Sequence, residues 1–309
     1  MMIIDFLNRQ KGVSVDELNV REANIKFKLE FLENLFHISI AKWPEKQKET
    51  MKFQIDFSDS LTPEARAFPG GLYRIIFPVR MVYEFEQIVY GQKITAQRQE
   101  SEETRIVLIG LMLCLSHEMI HCLRGHLDNG VGSIKSEETD ADFMAGGAVW
   151  GWIKNQRSFL KPYGFLDEVQ GAYEMGYAST ILTSLFQKYH VEDDGYHLPR
   201  QRLLTLMAGY MNPVMQTQGH LAAIKIGQRQ EAGVSAAKLL LSERGFDIHL
   251  QSMFNNPDNN SDYDEVMGKT NDRRDKDIDE WHRASFLLEP IKNILSKLSS
   301  KFNKTSKPD

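Results

Sequence analysis

The chain has 309 residues, of which 42% are hydrophobic and 26% are charged, and its formal net charge is −5. This size and composition allow one large globular domain or two smaller ones. The acidic balance argues against a nucleic-acid-binding surface, which would require clustered lysine and arginine side chains. The closest candidate for a membrane span, from Ile106 to Leu115, is shorter than the roughly 20 residues that a spanning helix needs.

The N-terminal segment and the two cysteines favour a reducing, cytoplasmic location. The segment MMIIDFLNRQKG carries Asp5 and has no small-residue cleavage site, so it lacks the pattern of a signal peptide. On one helix, Cys114 and Cys122 would lie about 12 Å apart along the axis, which is too far for a disulfide bond. We therefore expect two reduced thiols in a cytoplasmic protein.

The first hundred residues predict a small N-terminal β-sheet. Residues 25–31 and 52–57 alternate apolar and polar side chains with the period of half-buried strands. The segment AFPGGLYRIIFP, residues 67–78, has the pattern of a Pro-Gly-Gly turn that leads into a further strand at 72–77.

From residue 81 onward the hydrophobic pattern is helical almost without interruption. The predicted helices lie at about 80–91, 99–127, 137–156, 166–190, 199–210, 213–230 and 234–253. A sheet followed by helices indicates an α+β fold rather than alternating βαβ units. One domain is expected over residues 1–254, followed by a polar linker or long loop at 255–277. An amphipathic helix and tail at 278–309 are expected to dock onto the body, with partner binding as the alternative.

The segment HEMIH, residues 117–121, carries the pattern of a metal site. His117 and His121 are four residues apart, so a helix presents both imidazoles on one face. Two imidazoles at this spacing can bind one metal ion, and Glu118 can act as a base toward water in an open coordination position. The alternative is a buried helix that carries these histidines by chance.

A third ligand is expected from the next helix, in the segment SEETDADF. Glu138 and Asp142 are again four residues apart, so Glu138 can complete the site. Asp142 can then accept a hydrogen bond from the non-ligating nitrogen of a bound histidine. The alternative is that both acids only decorate a helix N-terminus. We expect His126 to cap a helix end beside Gly125, because on a continuous helix it points away from His117.

Peptide hydrolysis at a metal also requires a donor to the oxyanion and an element that aligns the substrate. His197 and Arg202, in the segment YHLPRQRL, lie around the start of a predicted helix, and either could donate. Tyr173 and Tyr177 are alternatives on another helix. The strand at 72–77 is the candidate edge strand with which a substrate backbone would pair.

Four segments occur in an order that resembles the gluzincin metallopeptidases, and within them the HtpX and CaaX-protease group with its soluble minimal relatives. The segments are AFPGGLYRIIF, HEMIHCLRGH, EETDAD and YHLPRQR, and the resemblance covers about 65–205. The chain departs from that group at Leu198, which separates the histidine from the proline in the last segment. A further resemblance, in size and motif layout, is to the Lit type of phage-exclusion peptidase.

The resemblance implies an α-rich zincin body, with an active-site edge strand in the small sheet and Zn²⁺ as the cofactor. It implies that His117, His121 and Glu138 are the metal ligands and that Glu118 is the catalytic base. Asp142 would support a ligand. The residues that would flank the substrate are His197 and Arg202.

Together these patterns predict a soluble zinc-dependent metallopeptidase. The expected reaction is hydrolysis of peptide bonds in a cytosolic protein substrate by Glu-assisted attack of zinc-bound water. The expected partner is a protein or peptide, with no nucleic acid and no membrane. The alternatives are a catalytically inactive, zinc-stabilised binding or regulatory protein, and a metal-free helical protein. A defence role such as phage exclusion is compatible with the peptidase and with the inactive form.

Overall fold

The computed structural model describes residues 2–10, 13–41, 48–91, 99–129, 134–189 and 199–255. Within these ranges helices dominate and three strands form one small mixed sheet, which agrees with the predicted α+β class. The strands are Met51–Asp56 (β1), Glu64–Phe68 (β2) and Leu72–Pro78 (β3). The helices are Ile3–Leu7 (α1), Val15–Ile40 (α2), Val79–Tyr90 (α3), Glu102–Leu123 (α4), His126–Asn129 (α5), Ile134–Asn155 (α6), Arg157–Leu160 (α7), Glu168–Tyr189 (α8), Pro199–Gln218 (α9), His220–Glu243 (α10) and Asp247–Asn255 (α11).

Residues 25–31, predicted as a strand, lie inside the long helix α2, so that prediction was wrong. The apolar side chains Ile25, Leu29, Leu32 and Phe36 recur every three to four residues and are all buried. The alternation of period two covers only a short stretch, whereas the helical period accounts for the whole segment and packs its apolar face into the core.

The sheet has β3 in its centre, with β1 parallel on one side and β2 antiparallel on the other. The predicted strand at 72–77 is therefore present, but it is not an edge strand. The chain folds back at Gly70 and Gly71, whose φ angles of 86° and 72° suit residues without a side chain. Because this turn pairs the preceding residues with β3, the edge strands of the described sheet are β1 and β2, and the sequence pattern did not predict β2.

The central helix of the core is α4. Its N-terminus is capped by Ser101, whose hydroxyl accepts a hydrogen bond from the Thr104 backbone N–H at 3.1 Å. Among the described helices, α4 alone is long and apolar enough to cross a membrane, but nearly all of its residues are buried inside the protein. This burial favours the core helix of a soluble protein over a membrane span.

Helix α6 packs against α4 on one side and against α9 on another. A Cβ atom added to Gly146 would lie 2.1 Å from the carbonyl oxygen of Leu206, and one added to Gly209 would lie 1.9 Å from that of Phe143. Only glycine allows this close approach of the two backbones. The contact brings the first turns of α9, including Arg202, next to the acidic face of α6.

The predicted helix boundaries were wrong at three places. The helix expected at 234–253 is divided, because its first part continues α10 and Gly245 with φ 79° separates that helix from α11. The helix expected at 99–127 ends after Leu123, because Gly125 with φ 66° turns the chain before α5 begins. The helices expected at 199–210 and 213–230 are instead continuous through Pro213, and the break falls at Gly219 with φ 87°. Apart from Asn255, the predicted linker at 255–277 and helix at 278–309 lie outside the described residues.

Candidate metal centre

Three side chains from α4 and α6 converge inside the protein. The Nε2 atoms of His117 and His121, one helical turn apart on α4, are 2.9 Å from each other. The Glu138 carboxylate from α6 lies against both, with Oε2 3.3 Å from His117 Nε2 and Oε1 3.3 Å from His121 Nε2. The structure thus brings together the three side chains that the sequence predicts as ligands.

The separations between these donor atoms suit a small tetrahedral cation. Each residue offers one ligand atom, and these atoms lie within 4.8 Å of one another. A zinc ion with bonds of about 2.0–2.1 Å holds its ligands roughly 3.3 Å apart. Two imidazole nitrogens and one carboxylate are also a donor set that zinc takes in sites with an open position. The residues present therefore fit zinc with small adjustments of their side chains.

The charges around the cluster favour a cation at this point. Burial opposes a charge on His117, but Glu138 and Asp142 outweigh it and raise the pKa of His117 to about 10. Burial also opposes ionisation of Glu138, yet His117, His121 and Arg202 hold the pKa of this carboxyl well below its usual range. The cluster thus stabilises a positive charge between its nitrogens and its carboxylate. A divalent cation can supply this charge in place of the proton on His117.

Glu118 lies beside the cluster without belonging to it. Its side chain is buried, and the backbone N–H of Ala65 in β2 donates a hydrogen bond to its carboxylate. Burial removes water from this carboxylate and raises the pKa of Glu118 to about 8, although the nearby charge of His117 lowers it. A carboxyl group that titrates near neutral pH can both accept and return a proton.

Behind His117, the ring nitrogen that faces away from the cluster meets Asp142. The Nδ1 atom of His117 is 2.9 Å from Asp142 Oδ1, although its N–H does not point straight at that oxygen. Arg202 donates to both oxygens of Asp142, from Nε at 2.8 Å and from Nη2 at 3.0 Å. The pKa of Asp142 stays below its usual value, because Arg202 and His117 outweigh the effect of burial. Asp142 therefore lies where the sequence predicts it, against the His117 ring nitrogen that faces away from the cluster.

Behind His121 lies a second support, which the sequence pattern did not predict. The Nδ1 atom of His121 is 3.0 Å from Nδ1 of His126, and Nε2 of His126 is 3.6 Å from Asp140 Oδ2. Arg124 donates to both oxygens of Asp140, from Nε at 2.5 Å and Nη2 at 2.9 Å. The prediction that His126 caps a helix end and points away from the site was wrong, because the turn at Gly125 redirects the chain.

The edge of β2 that pairs with no other described strand lies next to α4 and Glu118. In an antiparallel pair, successive backbone N–H groups point alternately toward the partner strand and away from it. The N–H of Ala65 points at Glu118, so Ala65 and Ala67 both face the edge. In agreement, the N–H of Tyr73, opposite Ala67, donates to Thr50 on the other side of β3. This edge can therefore offer main-chain groups to an extended peptide.

Not every predicted residue joins the site. His197 lies outside the described residues. Arg202 is at the site, 3.7 Å from Glu138, but two of its donors are directed at Asp142, so its donation to an oxyanion stays a prediction. Tyr173 interacts with Glu102 at the start of α4, about 22 Å along the helix from His117, and the Tyr177 ring packs edge-on against Tyr173. The two tyrosines are thus remote from the cluster.

No family profile matches the chain, and neither the curated proteins nor the solved structures yield a match. The likeness of its motifs to gluzincin metallopeptidases therefore stays a prediction. The geometry of the cluster is therefore the basis for its proposed function.

Proposed function

We propose that this chain is a cytoplasmic zinc-dependent peptidase that hydrolyses internal peptide bonds of a protein substrate. The observation that carries the proposal is the convergence of His117, His121 and Glu138, whose ligand atoms lie within 4.8 Å of one another. Glu118 lies beside them, and an exposed strand edge passes next to Glu118. These are the parts that metal-assisted hydrolysis of an extended peptide requires.

A catalytic role suits the donor set better than a purely structural one. Structural zinc sites are closed by four protein ligands, whereas catalytic sites keep one position for water or substrate. Among the described residues, the cluster contains three. The nearest further candidates have other contacts, since Asp140 binds Arg124 and His126 faces the far side of the His121 ring. This arrangement argues against the inactive, zinc-stabilised alternative.

Zinc and Glu118 have different roles in the proposed reaction. When bound, zinc would supply Lewis acidity toward the scissile carbonyl and toward water. Glu118 takes the proton of the attacking water onto its carboxylate and returns it to the nitrogen of the leaving amine. The hydrogen bond from the Ala65 N–H holds this carboxylate beside the cluster for both transfers.

The substrate is held by the edge of β2. Because the N–H of Ala65 already donates to Glu118, an extended peptide can pair with the outward carbonyl of Ala65 and with the N–H and carbonyl of Ala67, which places its backbone beside Glu118. Because main-chain pairing does not depend on side chains, this contact selects for an unfolded or looped segment rather than for one sequence.

The proposal is tested with untagged protein, so that no histidine tag contributes metal. Zinc is measured by elemental analysis, and cells that express the parent, Glu118→Gln or Glu103→Gln are compared for new protein termini. Glu103 is the matched control, since it lies on the same helix and is exposed. We expect zinc in all three proteins, and new termini from the parent and Glu103→Gln only. Zinc-free parent protein, or equal cleavage by Glu118→Gln, would overturn the proposal.

A further inference from the structure

The two histidines of the cluster have supports of similar construction. On α6, Asp140 and Asp142 are both buried, and each accepts two hydrogen bonds from an arginine, Arg124 or Arg202. Asp142 lies directly behind His117. Asp140 lies behind His126, which in turn lies behind His121. His117 thus contacts a carboxylate held by a guanidinium directly, and His121 is connected to one through the imidazole of His126.

The hydrogen bond between His121 and His126 dictates where their protons lie when a metal is bound. A metal at Nε2 of His121 requires that atom to be unprotonated, so the ring proton is on Nδ1. This Nδ1–H can donate to Nδ1 of His126, 3.0 Å away, only if the proton of His126 is on its Nε2. The neighbouring Asp140 carboxylate, 3.6 Å from Nε2, favours that tautomer electrostatically.

The position of His126 depends on a specific break in the chain. Helix α4 ends after Leu123, and Gly125 adopts φ 66°, a conformation that residues with a side chain rarely take. This turn brings His126 back against the helix that carries His121, and the imidazole is only 8% exposed. A surface histidine that merely ended a helix would not be buried between a ligand ring and an anchored carboxylate.

We propose that His126 is a positioning residue of the metal site, which fixes the tautomer and the orientation of His121 and is itself held by Asp140 and Arg124. The inference rests on the proposed metal site, since it concerns how that site is built. It assigns a role to three residues that take no direct part in metal binding or proton transfer. Removal of such a support typically costs a metal site about 10- to 100-fold in affinity.

The test measures zinc binding by competition with a chelating dye, on the full chain and without any protease assay. His126→Phe keeps a ring but removes the acceptor, whereas His126→Asn keeps a side-chain acceptor near the former Nδ1. The exposed His220 provides the control variant, His220→Phe. We expect His126→Phe to bind zinc about 10- to 100-fold more weakly. His126→Asn should recover most of the affinity, and His220→Phe should match the parent.

A spectroscopic measurement on the parent covers the case in which His126→Phe does not fold. In long-range proton–nitrogen spectra of zinc-loaded protein, His121 should carry its proton on Nδ1 and His126 on Nε2, with coupling through their hydrogen bond. The opposite tautomer of His126 would overturn the inference.

The possible outcomes separate this inference from the proposed function. If the parent binds zinc and His126→Phe binds it equally tightly, the support role is wrong while the metal site stands. If His126→Asn is as weak as His126→Phe, the imidazole serves packing alone and the role is again wrong. If the parent binds no zinc, both the inference and the proposed function are overturned.

Discussion

Oδ1 of Asp142 lies 2.9 Å from Nδ1 of His117, the ring nitrogen that faces away from the metal cluster. The same carboxylate accepts two hydrogen bonds from Arg202. An acceptor in this position keeps the His117 proton on Nδ1 and leaves Nε2 for a metal. It also gives the partly buried guanidinium of Arg202 its counter-charge.

Asp142→Ala should therefore weaken zinc binding by roughly 10- to 100-fold, as losses of such supports do in other zinc sites. The zinc affinity of Asp142→Asn should lie between those of the parent and Asp142→Ala, because the amide oxygen can still accept a hydrogen bond from His117 but carries no charge for Arg202. The measurement is the zinc dissociation constant by chelator competition. The exposed Asp59 gives the control Asp59→Ala, which should bind zinc like the parent. Parent-like affinity in Asp142→Ala would show that Asp142 does not support the ligand.

Zinc binding should also stabilise the fold. A ligand that binds only the folded chain adds stability by mass action, about 2.7 kcal/mol when its free concentration is one hundred times the dissociation constant. Both helices that carry the cluster are central to the core, so the cluster cannot form in an unfolded chain. Chelation should thus lower the melting temperature of the parent but not of Glu138→Gln, which loses a ligand. Magnesium added in place of zinc should give no shift. A chelator effect of equal size in both proteins would contradict this prediction.

The sequence predicts the convergence of the cluster side chains well because its geometry is local. His117 and His121 share a helix face by spacing alone, and so do Glu138 and Asp142. Only one long-range fact was needed, that the two helices pack face to face, and the small residues Ala141 and Ala145 allow it.

The parts that spacing could not predict depend on chain direction. The return of His126 toward His121 requires the left-handed turn at Gly125, whereas the predicted helix continued through that glycine. The position of the edge strand was also predicted wrongly. The Pro-Gly-Gly turn indicates a hairpin and hence a strand before it, but the alternating apolar residues of EARAF are alanines, which give only a weak strand signal. The alternation at 25–31 led to a wrong strand prediction, because a short stretch of a long helix can also show a pattern of period two.

The edge of β2 gives a prediction about substrate binding. The N–H of Ala67 faces the free edge, so Ala67→Pro removes a donor for the substrate while the bonds between β2 and β3 persist. One main-chain hydrogen bond contributes about 0.5–1.5 kcal/mol, and the loss should lower kcat/KM by roughly 2- to 10-fold. The assay uses a peptide that spans a cleavage site identified from the new protein termini.

Ala67→Val is the matched control, since it keeps the N–H and suits a strand. Zinc affinity should be the same in the parent and both variants, because Ala67 contributes no ligand atom. If Ala67→Pro cleaves the peptide as fast as Ala67→Val does, the substrate does not pair with this edge.

A buried ion pair away from the site predicts how stability depends on pH. Arg105 on α4 donates from Nε to Glu174 Oε1 on α8 at 2.5 Å, and Glu174 is 1% exposed. Burial raises the pKa of Glu174 from 4.5 to about 7, even though Arg105 opposes the rise. Between these two values the folded chain keeps a proton on Glu174 that the unfolded chain has released. The free energy of unfolding therefore falls as the pH rises through this window.

Glu174→Gln removes the titrating group while keeping an oxygen for Arg105. Other groups titrate in the same range, so the informative quantity is the difference in unfolding free energy between parent and variant, in which their contributions cancel. The parent should lose stability relative to Glu174→Gln as the pH rises from 4.5 to 7, whereas the exposed control Glu231→Gln should track the parent. Urea unfolding at a series of pH values measures this. A difference that stays constant, or that grows in favour of the parent, would mean that Arg105 keeps Glu174 ionised and that burial does not control this carboxyl.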